Sequence, residues 1–149
     1  MSSKRKSAGA QTDPVRSELA QLINQAFYYT RRSFDETLRQ LGLTAAQAGV
    51  LRRICDDPGI TGVQISRRMF TTPQAAQLVL ATLESKGLIE RKSDPASRRI
   101  VRSFITEEGR RTLGLAMPRM WEVERDLEGV LTAQECRQLS ALLQRYVDG

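Results

Sequence analysis

Apolar positions set the first boundary in the chain. Leu19, Leu22, Ile23, Ala26, Phe27, Phe34, Leu38 and Leu41, with Thr30 in the same register, recur at three- and four-residue spacing. That is the period of one helix face, and it predicts a long amphipathic helix running from Ser17 to near Gly42. Residues 1–16 hold Ser, Lys, Arg and Gly and almost nothing apolar. Burial cannot offset the entropy of ordering them, so a disordered basic tail is expected.

Three later helix starts share one chemistry. Thr44-Ala-Ala-Gln47, Thr61-Gly-Val-Gln64 and Thr132-Ala-Gln-Glu135 each set a threonine three residues ahead of Gln or Glu. The hydroxyl then accepts from the N3 amide while the N3 side chain accepts from the threonine N–H. Each precedes an apolar periodic run, and they open the second, third and sixth predicted helices. The second reaches about Cys55 and is stopped by Asp56-Asp57-Pro58-Gly59. The third is short, Gly62 to about Met69. Thr72-Pro73 supplies a cap and a proline at the first position of a fourth helix. Its stripe is Ala76, Val79, Leu80 and Leu83, and it stops at Lys86-Gly87. Two short helices joined by a turn of about three residues read as a helix-turn-helix.

Beyond Gly87 the period changes. Leu88–Lys92 and Ile100–Ile105 are strand candidates separated by the turn formers Ser93-Asp94-Pro95-Ala96-Ser97, which predicts a hairpin wing. Thr106-Glu107-Glu108 caps a fifth helix, with acids at its positive end. Leu113, Met117, Met120, Trp121, Leu127, Val130 and Leu131 give that helix its stripe, and Pro118 is expected to bend it. The sixth carries Cys136, Leu139, Leu142, Leu143 and Tyr146. The expected fold class is mostly α with a small β-hairpin wing. A winged helix-turn-helix domain over residues 44–105 is flanked by a helical scaffold from 17–43 and 106–149.

Charge follows the same division. The 149 residues hold 23 Lys+Arg and 17 Asp+Glu, net +6. Residues 1–16 carry +3, 17–50 carry 0, 51–111 carry +5 and 112–149 carry −2. The surface that faces a polyanion therefore belongs to the winged segment. There is no histidine, which removes the commonest general base, the Ser-His-Asp and Cys-His arrangements and most zinc sites. With no glycine-rich phosphate loop and no metal-ligand spacing, neither an enzyme nor a cofactor or metal is expected. Cys55 and Cys136 form no CxxC, no secretory signal follows Lys4-Arg5-Lys6, and no apolar stretch approaches a membrane span. A reduced, cytoplasmic protein without a membrane partner is the expectation.

The order of elements and several motifs together resemble the multiple-antibiotic-resistance regulator (MarR) family of winged-helix transcription factors. The matching residues are Leu43-Thr44 with Gln47, Thr72-Pro73, and Leu83-Glu84-Ser-Lys-Gly87-Leu88-Ile89-Glu-Arg91. Most specific is Asp94-Pro95-Ala-Ser-Arg98-Arg99 followed by Ile105-Thr106-Glu-Glu-Gly109. The resemblance covers residues 17 to 147 and implies a dimeric, DNA-binding transcriptional regulator, a repressor released from a pseudo-palindromic operator by a small aromatic or phenolic anion. Three positions depart from the family pattern. Ser97 stands where an Asp is usual, Ile105 replaces Leu, and Leu78 stands where arginine is frequent.

A recognition helix presents polar side chains from its first turns to base edges. Thr72, Gln74, Ala75, Gln77, Leu78 and Ala81 lie opposite the inward stripe. Glutamine pairs with adenine and Ala or Leu packs on a thymine methyl, so A·T-leaning half-sites are expected; the alternative is that the glutamines only solvate an exposed face. Arg98 and Arg99 at the hairpin tip suit the minor groove, with Arg99 the inserted residue by resemblance and Arg98 or Asp94 bracing the loop; touching phosphates alone is the competing reading. Arg67, Arg68, Lys86, Arg91, Lys92 and Arg102 are phosphate contacts or solvated charge.

Leu19, Leu22, Ile23, Trp121, Leu139, Leu142 and Leu143 are candidates for a homodimer core, or else for packing within one subunit. By position, and by the resemblance, Tyr28, Arg31, Arg32, Phe34, Arg53 and Trp121 are candidates for an effector crevice, where arginine beside aromatic rings suits a carboxylate; packing and surface charge is the plainer alternative. Two rival functions stay open, a winged helix that binds protein with weak non-specific DNA binding, and a cysteine-based redox regulator.

Overall fold

The computed structural model describes the backbone of residues 14–149 and the side chains of residues 18–149. Of the tail expected over residues 1–16, residues 1–13 lie outside the described residues, and residues 14–16 belong to the first helix instead. Helix α1 spans Pro14–Leu38, three residues ahead of the expected start, with a proline at its first position, where the missing N–H costs nothing. A single 3-10 turn, Arg39–Leu41, carries the chain to Gly42.

Helix α2 (Ala45–Asp56), helix α3 (Gly62–Arg68) and helix α6 (Ala133–Asp148) each open on the expected reciprocal cap. Thr44 Oγ1 accepts from Gln47 N at 3.1 Å while Gln47 Oε1 accepts from Thr44 N at 3.2 Å. Helix α4 (Pro73–Ser85) is capped by Thr72, whose hydroxyl accepts from Ala75 N at 3.1 Å. Helix α5 (Glu107–Glu128) is capped by Thr106 and runs continuously through Pro118.

The sheet has three antiparallel strands in the order β1 (Ile60–Thr61), β3 (Ser97–Ile105), β2 (Ile89–Asp94). Strand β1 has no counterpart in the sequence expectations. It pairs Ile60 with Ser103 and Thr61 with Arg102, partners too distant along the chain for local pattern to signal. The wing is longer than expected, because pairing continues to Asp94 opposite Ser97 and leaves only Pro95-Ala96 as the loop. Asp94 makes this possible: its Oδ1 accepts from Ala96 N at 2.8 Å, so a residue marked as a turn former also closes the hairpin. The register slips between Ser93 and Asp94, and Arg98, Arg99 and Ile100 fall in that slip.

One core joins these elements. Leu51 and Ile54 of α2, Ile60, Ile65, Leu80 and Leu83 of α4, and Leu88 and Ile89 are enclosed, and Leu38, Leu113 and Ala116 join them from α1 and α5. Burial of each such side chain stabilises by about 1.5–3 kcal/mol. No residue of α6 is buried, and in α1 only Leu38 is, among the described residues. Gly109 shows how tightly α5 meets the wing, since a Cβ there would strike the Leu88 carbonyl oxygen. That same oxygen accepts from Thr106 N at 3.0 Å.

Candidate nucleic-acid interface

Helix α4 presents the face its pattern predicts. Ala76, Leu80 and Leu83 are buried, while Gln74, Ala75, Gln77, Leu78 and Ala81 are exposed, Leu78 at 71%. The two glutamines differ. Gln77 Oε1 accepts from Arg91 Nη1 at 3.2 Å, and its amide nitrogen lies so close to the first residue of α3 that a Cβ on Gly62 would collide with it. Arg91 is held in turn by Glu84 Oε2, with Nε at 2.8 Å and Nη2 at 2.6 Å. Gln77 thus ties α4 to α3 and β2. Gln74 has no side-chain partner among the described residues and stands free at the helix start.

The wing is braced beside its loop, while the two arginines that follow the loop are open. Asp94 Oδ2 accepts from Arg102 Nε at 2.5 Å, and Arg102 Nη1 donates to the Gly59 carbonyl at 3.0 Å. The hydrogen bond from Arg102, then that from the Ala96 N–H, holds the Asp94 carboxyl below its ordinary range. Gly59, at φ +88, turns the chain into β1, so this clamp joins the wing to the approach of the helix-turn-helix. Of the two bracing residues proposed for the loop, Asp94 is the one so engaged. Arg98 and Arg99 are exposed and have no ion-pair or hydrogen-bond partner among the described residues.

The remaining cations divide in the same way. Arg67 is exposed and unpaired among the described residues. Arg68 bridges to Asp57 at 2.8 Å, and Lys92 lies 3.3 Å from Glu90 and over the Phe104 ring. Lys86 Nζ donates to the Gly42 carbonyl at 2.5 Å and to Gln47 Oε1 at 3.1 Å. Arg67, Arg98 and Arg99 are therefore the freest charges for phosphates or grooves, whereas Lys86, Arg91 and Arg102 hold the winged domain together. One exposed residue of this surface was missed by sequence pattern. Phe70, in the turn between α3 and α4, has φ +50 and is 86% exposed.

The effector candidates are not gathered by a single chain. Tyr28 and Trp121 are exposed, Phe34 is half-buried, Arg32 pairs with Glu36 at 2.7 Å, and Arg31 and Arg53 face solvent. A hollow of about 240 Å³ between α1 and α5 is lined instead by Tyr29, Ser33, Glu36, Thr37, Val123, Asp126 and Leu127. A second, of about 340 Å³, lies beside Asp35, Arg39, Thr44 and Lys86. The dimer candidates Leu19, Leu22, Trp121, Leu139, Leu142 and Leu143 are all exposed, and Ile23 is half-buried. Cys55 and Cys136 are half-buried free thiols, with Arg110 Nη1 3.8 Å from the Cys55 sulfur. Among the described residues, no group of His, Cys, Asp or Glu could hold a metal ion, and no helix is long and apolar enough to cross a membrane.

Comparison with known proteins agrees with this geometry. The MarR family model matches residues 41–100. The transcriptional regulator HosA of Escherichia coli is 30% identical over 132 residues, 85% of this chain and 98% of its own length. The HTH-type transcriptional repressor Rv2887 of Mycobacterium tuberculosis is 27% identical over 127 residues, 85% of this chain and 91% of its own. Among solved structures, a cysteine-to-serine mutant of E. coli MarR complexed with operator DNA superposes with a TM-score of 0.83 at 28% identity, covering 91% of this chain and 99% of that one. The apo form of wild-type MarR gives 0.72 at 29% identity, covering 86% and 96%.

Proposed function

Because the chain belongs to the MarR family of winged-helix transcriptional regulators, we propose that it is a homodimeric repressor that grips a pseudo-palindromic operator and lets go when a small aromatic or phenolic anion binds. One observation carries the DNA reading. The exposed start of α4, Arg67 and the free arginines at the wing tip belong to one domain in which Lys86, Arg91 and Arg102 are spent on internal partners. The likeness to the E. coli MarR structure complexed with operator DNA, at 28% identity and a TM-score of 0.83, supports it.

In this reading α4 enters the major groove with Gln74, Ala75 and Leu78 at base edges, while Gln77 sets the angle of the helix. Arg99 enters the minor groove and Arg67 meets phosphate. Two-fold pairing through α1, α5 and α6 places two such readers about one helical turn apart. The effector crevice is completed by dimerisation, which brings a second scaffold against Tyr28, Arg31, Phe34 and Trp121.

Selection of bound sites from random DNA tests this. Inverted repeats rich in A·T should be enriched, their affinity should fall steeply with salt, and a panel of benzoates and phenols should contain one that abolishes binding. Arg99→Ala should weaken binding to the selected site by about 1–3 kcal/mol in a fluorescence anisotropy titration. Recovery of no preferred sequence would reject the repressor reading and favour a winged helix that binds protein.

A further inference from the structure

Among the described residues, three helices end in the same backbone motif, and one of the three is filled in reverse. After the 3-10 turn that extends α1, the Gly42 N–H donates to the Arg39 carbonyl and the Leu43 N–H to that of Leu38. After α4, Gly87 donates to Glu84 and Leu88 to Leu83. After α3, Phe70 donates to Arg67 and Thr71 to Ser66. The motif places a left-handed residue, glycine by preference, at the helix end, and an apolar residue that folds back onto the helix frequently follows it. Gly42 (φ +67) with Leu43, and Gly87 (φ +71) with Leu88, obey this, and both leucines are buried. In the third, the left-handed residue is a phenylalanine (φ +50) whose ring is 86% exposed, and the residue behind it is an exposed threonine.

Phe70 is unfavourable to the free protein twice over. Its Cβ crowds the backbone in the left-handed region, and its ring gains nothing from burial. Strain of this kind, held at an exposed site, marks a contact made with something else. Its surroundings say what. Residues 66–78 contain two arginines and no acid, and the adjacent start of α4 carries the positive end of its dipole. Phe70 lies two residues ahead of the Thr72 cap, at the end of α4 that faces base edges. Leu78, also highly exposed, follows on the same helix.

Resting on the operator reading above, we propose that Phe70 is a DNA-contact residue whose ring packs on the 5-methyl group and deoxyribose of a thymidine at the edge of the major groove. With Leu78 it adds recognition of thymine methyls to the polar readout by Gln74, and the strain of the free state is offset in the complex.

Phe70→Gly separates this from a structural role, because glycine is the residue the motif prefers. The variant should be dimeric and melt at the same temperature as the wild type or higher, yet bind the selected operator about tenfold more weakly. Deoxyuridine, which removes only the methyl group, should weaken wild-type binding at one thymine of each half-site and leave Phe70→Gly unaffected at that position. Equal operator affinity of the two proteins would overturn the DNA contact, and with regulation lost in cells it would point to a protein partner. A wild type indifferent to every deoxyuridine would overturn the methyl contact. A wild type that selects no operator at all is a different result, the failure of the repressor reading itself.

Discussion

Helices α4 and α6 are near twins in pattern and opposites in fate. Each is opened by a threonine cap and carries an apolar stripe. In α4 the stripe is enclosed by its own chain, with Leu80 and Leu83 at 1% and 0% exposure. In α6 Leu139, Leu142, Leu143, Tyr146 and Val147 all stay open, together with Leu19, Leu22 and Phe27 on the first half of α1. An amphipathic period states that a face will be covered, and is silent on which chain covers it. In the dimer proposed above, this open face is the one a second copy covers.

The sharpest way to break the comparison is to charge the open face. Leu139→Glu combined with Leu143→Glu should convert a dimer into a monomer in sedimentation, and lower operator affinity on the order of 100-fold or more through lost avidity. A dimer that survived both changes would place the interface elsewhere. Next in size is the closed face. Leu80→Ala should cost about 2–5 kcal/mol in urea unfolding, because it leaves a cavity in a core that cannot collapse around it. Leu139→Ala, measured where the chain is dilute enough to be monomeric, should cost far less.

The smallest expected effect concerns the clamp beside the wing loop. Asp94 has a folded-state pKa below its ordinary value, set first by the hydrogen bond from Arg102. Its contribution is therefore fully present above the ordinary aspartate pKa of about 3.9 and is lost as pH falls through the lower folded value. Hydrogen exchange at Ala96 and neighbouring hairpin amides should be insensitive to this group from pH 6 to 8 once intrinsic rates are removed. Protection should decline in acid, and Asp94→Asn should reproduce the decline at neutral pH. Unchanged protection in that variant would show that the hairpin holds itself.

What was legible in the chain is what is settled within a few residues. The caps at Thr44, Thr61, Thr72 and Thr132 stand where their spacing put them, since a hydroxyl and an amide three positions apart need no distant partner. What escaped depends on encounters across the fold. Strand β1 exists only because β3 returns alongside it. Arg102, Arg91 and Lys86 read as phosphate contacts or solvated charge, but find Asp94, Glu84 and the Gly42 carbonyl once α2, α4 and the wing are assembled. Gln77 is a recognition residue by its place on the helix and a packing residue by its contacts. Phe70 gave no sign of its left-handed backbone, because the usual signal, a glycine, is missing. The candidate effector residues form no enclosed site, for their faces of α1 and α5 are open in a single chain.

The tether from Lys86 to Gly42 and Gln47 has a mechanical consequence. It pins the far end of α4 to the joint between α1 and α2, while Gln77 holds the near half to α3 and β2, so that α4 is a rod that a pivot at the joint would carry together with the winged domain. Thirteen residues make that rod about 20 Å long. A pivot of about 10° at the pinned end sweeps the tip by about 3 Å, close to the 3.4 Å spacing of successive bases. On the operator reading proposed above, a small swing about the joint would thus be geared up to a misalignment of about one base step, moving Gln74 off its register while every contact inside the winged domain stays intact.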